Sequence, residues 1–267
     1  ADAAAAVDEH LVEPAPAGAC YPLHILSGER AEPLGAACGW MLWDRGGTFW
    51  HFENGALGRR LVGRPPVGPE RRLEVHATWM LEDPELDDVL WLVGERALMR
   101  LDTRAPGPLA VSATWPMAAN RAIASDGLGG IWIGATDGLW NLRAGKLAHF
   151  GKAEGLPVEN IRAILADGHG GLWLGTYGGG FVHFDGRTFV TLGVDRGLPE
   201  AVVSSLVEDG FGGIWFAGNR GIHRVRRENL ERCLSDPGER LQVLSFGHDD
   251  GLANPETTGR PAVAGPD

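Results

Sequence analysis

The chain has 267 residues, within the range of a single all-β domain, and sets 24 Lys+Arg against 35 Asp+Glu for a formal charge of −11. With only two lysines (Lys146, Lys152) and no basic run, it lacks the clustered positive field that a nucleic-acid or anionic-membrane surface needs. Ten tryptophans and 44% hydrophobic content call for a large packed core, and no apolar run approaches the ~18 residues of a membrane-spanning helix.

Taken from the N-terminus, residues 1–20 match no pattern and stay unassigned. Tyr21 to Leu26 reads as a strand. A phrase then begins to recur: Asp, a glycine-rich turn, an apolar residue, Trp, an apolar residue, and Gly or Ala. Its first copy is faint, Asp44-Arg45-Gly46-Gly47-Thr48-Phe49-Trp50. The second, Val89-Leu90-Trp91-Leu92-Val93-Gly94, lacks the glycine turn. The third, fourth and fifth are full: Asp126 to Gly134 around Trp132, Asp167 to Gly175 around Trp173, and Asp209 to Ala217 around Trp215. From Trp50 to Trp215 the spacings are 41, 41, 41 and 42, too regular for chance.

Each unit reads as four short strands with no room for a helix. In the fourth copy these are Ile161 to Ala166, Leu172 to Gly175, Phe181 to Phe184 and Thr188 to Leu192. The Asp-Gly-x-Gly-Gly stretch is hairpin chemistry, and Gly178-Gly179-Gly180 marks a second hairpin. Four-stranded units of this length with one Trp each are propeller blades. The expected fold is therefore an all-β β-propeller with five recognisable repeats of 41–42 residues over 21–267, part of a larger ring of about seven blades. The tryptophans are expected to be mostly buried between blades, not exposed for stacking on sugars. Residues 226–236 suit a short inserted helix. Pro261 to Ala264 would be an innermost strand and Tyr21 to Leu26 an outermost one, which leaves the ring incomplete, with unpaired edges.

The chemistry-bearing residues are sparse. Asp44, Asp126, Asp167 and Asp209 recur in register, but one carboxylate per repeat is a turn cap, not a converging calcium site. Asp87-Asp88 and Glu82-Asp83 read as an acidic surface loop, and the nine histidines show no metal-site pairing. Cys20, Cys38 and Cys233 read as free thiols, with a Cys20–Cys38 bridge open in an oxidising compartment. No cofactor or metal is expected. The informative positions are loops on one propeller face, after the tryptophan strands and before the inner strands. They carry Glu95, Arg96, Asp137, Thr176, Tyr177, Asn219 and Arg220, and Arg121, Asn160 and Arg162. These differ from copy to copy while the scaffold repeats, as a ligand-binding rim would.

Several of these stretches resemble a known family. Gly155-Leu156-Pro157, Asn160-Ile161, Ile164, Asp167 through Thr176 and Gly179-Gly180-Phe181 look like the two-component regulator propeller repeat, and Gly197-Leu198-Pro199 repeats its opening. Ile222 to Leu230, Phe246-Gly247, Asp250-Gly251-Leu252, Glu256, Gly259 and Pro261-Ala262 resemble that family's approach to its last blade, where an inserted helix lies. The resemblance implies the periplasmic sensor half of a hybrid histidine kinase or diguanylate cyclase. It also implies that the chain is a fragment and that any output domain belongs to a parent protein. It departs at the second unit and at residues 1–20. The first reading is thus a non-enzymatic, extracytoplasmic sensor propeller binding a small molecule, an oligosaccharide among the options. It would dimerise through its parent, with no nucleic-acid or membrane contact. The alternatives are a propeller lyase or hydrolase, and an intracellular protein-interaction propeller.

Overall fold

A computed structural model describes residues 77–104, 109–117 and 120–252, together with 72–75 and separate strands and positions between 5 and 61. Among them are five four-stranded antiparallel sheets, one three-stranded sheet and one α-helix. Each four-stranded sheet is one blade, with its strands hydrogen-bonded in chain order.

The chain divides into two compact units, 1–115 and 116–267. The first holds the three-stranded sheet and two blades. Blade 1 comprises Met41–Trp43, Thr48–Glu53, Ala56–Leu61 and Arg72–Glu74, and blade 2 comprises Ala77–Glu82, Val89–Gly94, Ala97–Asp102 and Val111–Pro116. The strand expected at Tyr21 to Leu26 is found as Tyr21–Ser27, but it is not a lone outermost strand. It lies in the middle of the three-stranded sheet, between Ala5–Ala6 and Arg30–Ala37, so part of 1–20 is strand as well. The Tyr21–Ser27 and Arg30–Ala37 strands are adjacent in sequence and pair as a hairpin from Tyr21↔Ala37 to Ser27↔Arg30, which local pairing favours over a distant partner. Cys20, Cys38 and Pro261 to Ala264 lie outside the described residues.

The second unit holds three blades. Blade 3 comprises Asn120–Ser125, Gly130–Ala135, Leu139–Arg143 and Lys146–Phe150. Blade 4 comprises Ile161–Ala166, Leu172–Thr176, Phe181–Phe184 and Phe189–Leu192. Blade 5 comprises Ser205–Glu208, Gly213–Ala217, Ile222–Arg226 and Val243–Phe246, with helix α1 (Arg227–Ser235) between its third and fourth strands.

The second strand of a blade is covered on both faces, so its sequence is a continuous apolar run. Val89–Gly94, Gly130–Ala135 and Leu172–Thr176 are buried at every position. The cores are shared between neighbouring blades. One cluster joins Trp132 and Leu139 of blade 3 to Leu172, Leu174, Val182 and Phe184 of blade 4. Another joins Trp173 and Phe181 of blade 4 to Ile214, Phe216 and Val225 of blade 5, and to Leu230 and Cys233 of α1. In the first unit Trp50, Phe52 and Leu57 pack with Met80, Leu90, Leu92 and Leu101. Trp50, Trp91, Trp132 and Trp173 are buried. Trp215 is only partly so, and it stacks on Phe246 of its own blade with the Arg224 guanidinium over its ring.

The recurring Asp is the turn cap expected. Asp126 Oδ1 accepts the backbone N–H of Leu128 and Gly130, Asp167 Oδ1 those of His169 and Gly171, and Asp209 Oδ1 those of Phe211 and Gly213. The second oxygen does something the sequence did not announce. It accepts the indole N–H of the blade's own ladder tryptophan: Asp126 from Trp132 at 2.9 Å and Asp209 from Trp215 at 2.8 Å. Blade 2 does the same with Asp83 and Trp91, at 2.8 Å. Asp83 also caps its turn through the N–H of Glu85 and Leu86, so it is not a surface acid as expected. Its hairpin turns without glycine because Asp88 takes the left-handed conformation, φ +61°. In blade 4 the second oxygen of Asp167 binds His183 Nε2 at 2.9 Å, and the Trp173 indole N–H is buried without a partner.

Candidate functional site

The sequence-selected rim is built from the turns that follow each ladder strand and the loops that enter each inner strand. In blade 4 the turn is Thr176 to Gly180. Thr176 is completely buried. Its hydroxyl donates to the Gly180 carbonyl and accepts the Gly179 N–H, both at 3.0 Å, so it holds the turn closed and does not face solvent. Tyr177 rides on that turn, 46% exposed. Its N–H donates to the Asn160 carbonyl at 2.9 Å, and Gly178 and Gly180 donate to Ala201, so one loop is stitched to the inner-strand entries of blades 4 and 5.

Blade 5 closes the equivalent turn differently. Glu200, buried in the loop entering the blade, accepts the N–H of Asn219 and Arg220, both at 2.8 Å. Gly218 must be glycine-sized here, since a Cβ would come within 2.5 Å of the Glu200 carboxylate. His223, also buried, faces Glu200 through Nε2 at 3.3 Å and Ser245 Oγ through Nδ1 at 2.9 Å. Burial lowers the His223 pKa, and the Glu200 hydrogen bond and charge offset only part of that. Beside this pair a cleft of about 320 Å³ opens between Val194, Pro199 to Val202, Asn219 and Arg220. Asn219 and Arg220 line its mouth, both exposed.

In blade 3, Asp137 is half-buried and accepts the Trp140 indole N–H at 3.1 Å, which makes it a turn residue first. Arg121 and Arg162 lie 41 residues apart at the same place in consecutive inner strands. Each is the extra residue at a register shift, between Asn120 and Ala122 and between Ile161 and Ala163. A bulge of this kind re-aims its side chain. The Arg162 guanidinium sits 5.1 Å from the centre of the Tyr177 ring. Burial lowers its pKa, the charge of Arg121 lowers it further, and Tyr177 opposes both. Arg162 Nε and Asn160 Oδ1 are buried without partners, as is Ser204 Oγ. Of the selected residues in this unit, Arg121, Asn160, Arg162 and Tyr177 thus come together, and Asn219 and Arg220 form a second group at the cleft. Glu95 and Arg96 are exposed on the corresponding turn of blade 2, in the first unit. Sequence reasoning gave Ser204 and His223 no site role, because a Ser at the entry to a strand and a single His within one carry no motif.

Among the described residues no group of three or more His, Cys, Asp or Glu is placed to hold a metal ion, and no helix is long and apolar enough to cross a membrane.

Comparison with known proteins places this geometry. Residues 155–178, which run from the loop entering blade 4 to the Tyr177 turn, match the family model described as two component regulator propeller. No curated protein matches the chain. Among solved structures, the extracellular domain of a hybrid two component system from B. thetaiotaomicron is similar over 89% of this chain at 17% identity and a TM-score of 0.66. The extracellular domain of a one component system from the same organism is similar over 86%, again at 17% identity, with a TM-score of 0.60. The chain spans 33% and 29% of those two. The same fold is shared with virginiamycin B lyase from Staphylococcus aureus, over 86% of this chain and 78% of that one, at 14% identity and a TM-score of 0.59. At such identities these likenesses establish the β-propeller fold; the repeat at 155–178 is what distinguishes among propellers. The chain is a β-propeller in which residues 155–178 are similar to the two component regulator propeller repeat.

Proposed function

We propose that the chain is the ligand-sensing propeller of a bacterial signal-transduction receptor, lying outside the cytoplasmic membrane and free of catalytic activity of its own. One observation carries the reading: blade 4, which contains the matched repeat, presents a half-exposed Tyr177 ring backed by the Arg162 guanidinium. An aromatic face held by a cation is suited to stacking on a sugar ring, so a small oligosaccharide is the ligand class we favour. Its binding across blades 3 to 5 would shift the equilibrium between receptor states, and output domains in the parent would read that shift. The extracellular relatives support the location.

The buried His223–Glu200 pair beside a cleft is the feature an enzyme reading would use. Both Glu200 oxygens already accept backbone N–H groups of the blade 5 turn, which makes the carboxylate a clamp and not a base. Calorimetric titration with a panel of neutral and acidic oligosaccharides tests the proposal. At least one is expected to bind without being cleaved, and Tyr177→Ala is expected to weaken it about tenfold, the ordinary worth of a lost stacking contact. Turnover of any panel member, or binding indifferent to Tyr177, would overturn it.

A further inference from the structure

The two bulge arginines form an unanswered positive charge. Arg121 and Arg162 occupy equivalent places on neighbouring inner strands, and the charge of Arg121 disfavours that of the partly buried Arg162. In a protein of net charge −11, a close pair of arginines would ordinarily find a carboxylate. Here the nearby acids are committed elsewhere. Glu159 accepts the Lys152 N–H at 3.1 Å and faces its ammonium at 3.5 Å, Glu200 clamps the Asn219–Arg220 turn, and Asp137 holds the Trp140 indole. Among the described residues neither arginine makes an ion pair or a hydrogen bond, and Arg162 Nε is buried unmatched.

The surrounding groups continue the pattern. Ser204 stands 42 residues after Arg162, at the same place in the entry to the next inner strand. It is 6% exposed, and its hydroxyl, which can donate, has no partner. Three consecutive blades therefore present, at one repeat position, two guanidinium groups and a free hydroxyl. The Tyr177 phenol borders the same place. Asn160 adds a buried amide oxygen that lacks a donor, suited to a hydroxyl beside the anionic group.

We propose that Arg121 and Arg162, with Ser204, form a binding site for an oxyanion carried by the ligand: a carboxylate, as on a uronic acid, or a sulfate ester. The shared chemistry is fork-like charge-assisted hydrogen bonding to two or more oxygens. The ligand's identity as a sugar rests on the function proposed above; the anion contact does not.

The test is to follow the Arg side-chain Nε–Hε resonances of the ¹⁵N-labelled 267-residue chain during separate titrations with sodium sulfate, free galacturonic acid and neutral galactose, at constant ionic strength. Sulfate and galacturonate are expected to shift a resonance that Arg162→Gln removes, while galactose is not. Arg121→Gln, an exposed change that leaves the core untouched, is expected to weaken the anion response about tenfold. A stronger response to galacturonate marks a carboxylate site, and a stronger response to sulfate marks an ester site. If neither anion shifts the Arg162 resonance more than galactose does, or if Arg121→Gln leaves the response unchanged, the anion site is overturned, even where neutral oligosaccharides still bind. If the anions shift it and no oligosaccharide binds, the anion site stands and the glycan-sensor reading falls.

Discussion

At the scale of the residue, the bond between the turn aspartate and its own tryptophan sorts the repeats. Trp132 donates to Asp126, whereas Trp173 has no acceptor because His183 has taken the oxygen. Both indoles fill the core, so replacement by Phe removes similar area from each; the hydrogen bond is the difference. Trp132→Phe is expected to cost about 1 kcal/mol more than Trp173→Phe, as read from urea unfolding midpoints. Equal costs would show that the bond contributes nothing net. The same carboxylates set the acid limit. Burial alone would raise the pKa of Asp126, Asp167 and Asp209, but the hydrogen bonds they accept, with Arg143, His183 and Arg224 nearby, hold all three below the usual carboxylate range. A lowered folded-state pKa means that the unfolded chain takes up protons first. The stabilisation is therefore complete above about pH 4 and lost as pH falls through the lowered values. His223, buried and also lowered, acts in the same direction nearer pH 6.5, where only the unfolded chain gains its proton. Thermal midpoints measured down a pH series are expected to fall in two stages, and His223→Gln is expected to remove the upper one. A midpoint unchanged between pH 7 and 5.5 would contradict the role given to His223.

At the scale of the element, the blades were legible and their fastenings were not. Tryptophans at a constant spacing and runs such as Ile131-Trp132-Ile133 announce buried second strands, because only a strand covered on both faces is apolar at every position. The turn of blade 2 was obscure because Asp88 does the work of a glycine. The rim was legible as a set of variable loops, but sequence could not tell Thr176, which is spent on its own turn, from Tyr177 beside it, which faces outward. Nor could it show that bulges place Arg121 and Arg162 alike, since a bulge is a matter of pairing register. Helix α1 is held from a distance. Arg196, before blade 5, donates to the carbonyls of Cys233, Asp236 and Glu239, which satisfies the helix end and the loop after it. Asn229 grips the segment leading into the fourth strand of blade 5 through the Gln242 N–H at 2.7 Å and the Arg240 carbonyl at 3.2 Å. Arg196→Ala is expected to cost about 1–3 kcal/mol and to speed amide exchange in α1 selectively. Uniform exchange across blade 5 would show that the arginine is not a local fastening.

At the scale of the whole molecule, stability is expected to reside in pairs of blades. The cores of 116–267 run from blade 3 to blade 4 and from blade 4 to blade 5, each built from residues of both partners. A repeat array with such nearest-neighbour coupling is stabilised interface by interface. The segment 116–267, expressed alone, is therefore expected to unfold cooperatively with its ladder tryptophans still shielded from a fluorescence quencher, whereas a single blade is expected to be unfolded. Quencher access to Trp132 and Trp173 in the 116–267 segment would show that their burial depends on the first unit.

The clamp between aspartate and tryptophan lies wholly inside one blade, while the apolar contacts that give the blade its stability lie between blades. Duplicating a stretch of about 41 residues would thus copy a finished part. The new blade would arrive with its hairpin already latched and would need only a neighbour of compatible shape. Exposed rim side chains such as Tyr177, Asn219 and Arg220 lie outside both the latch and the shared core, so each copy is free to drift in what it presents. A gene assembled this way can lengthen its recognition surface by repetition and diversify it afterwards, one loop at a time, without renegotiating the fold.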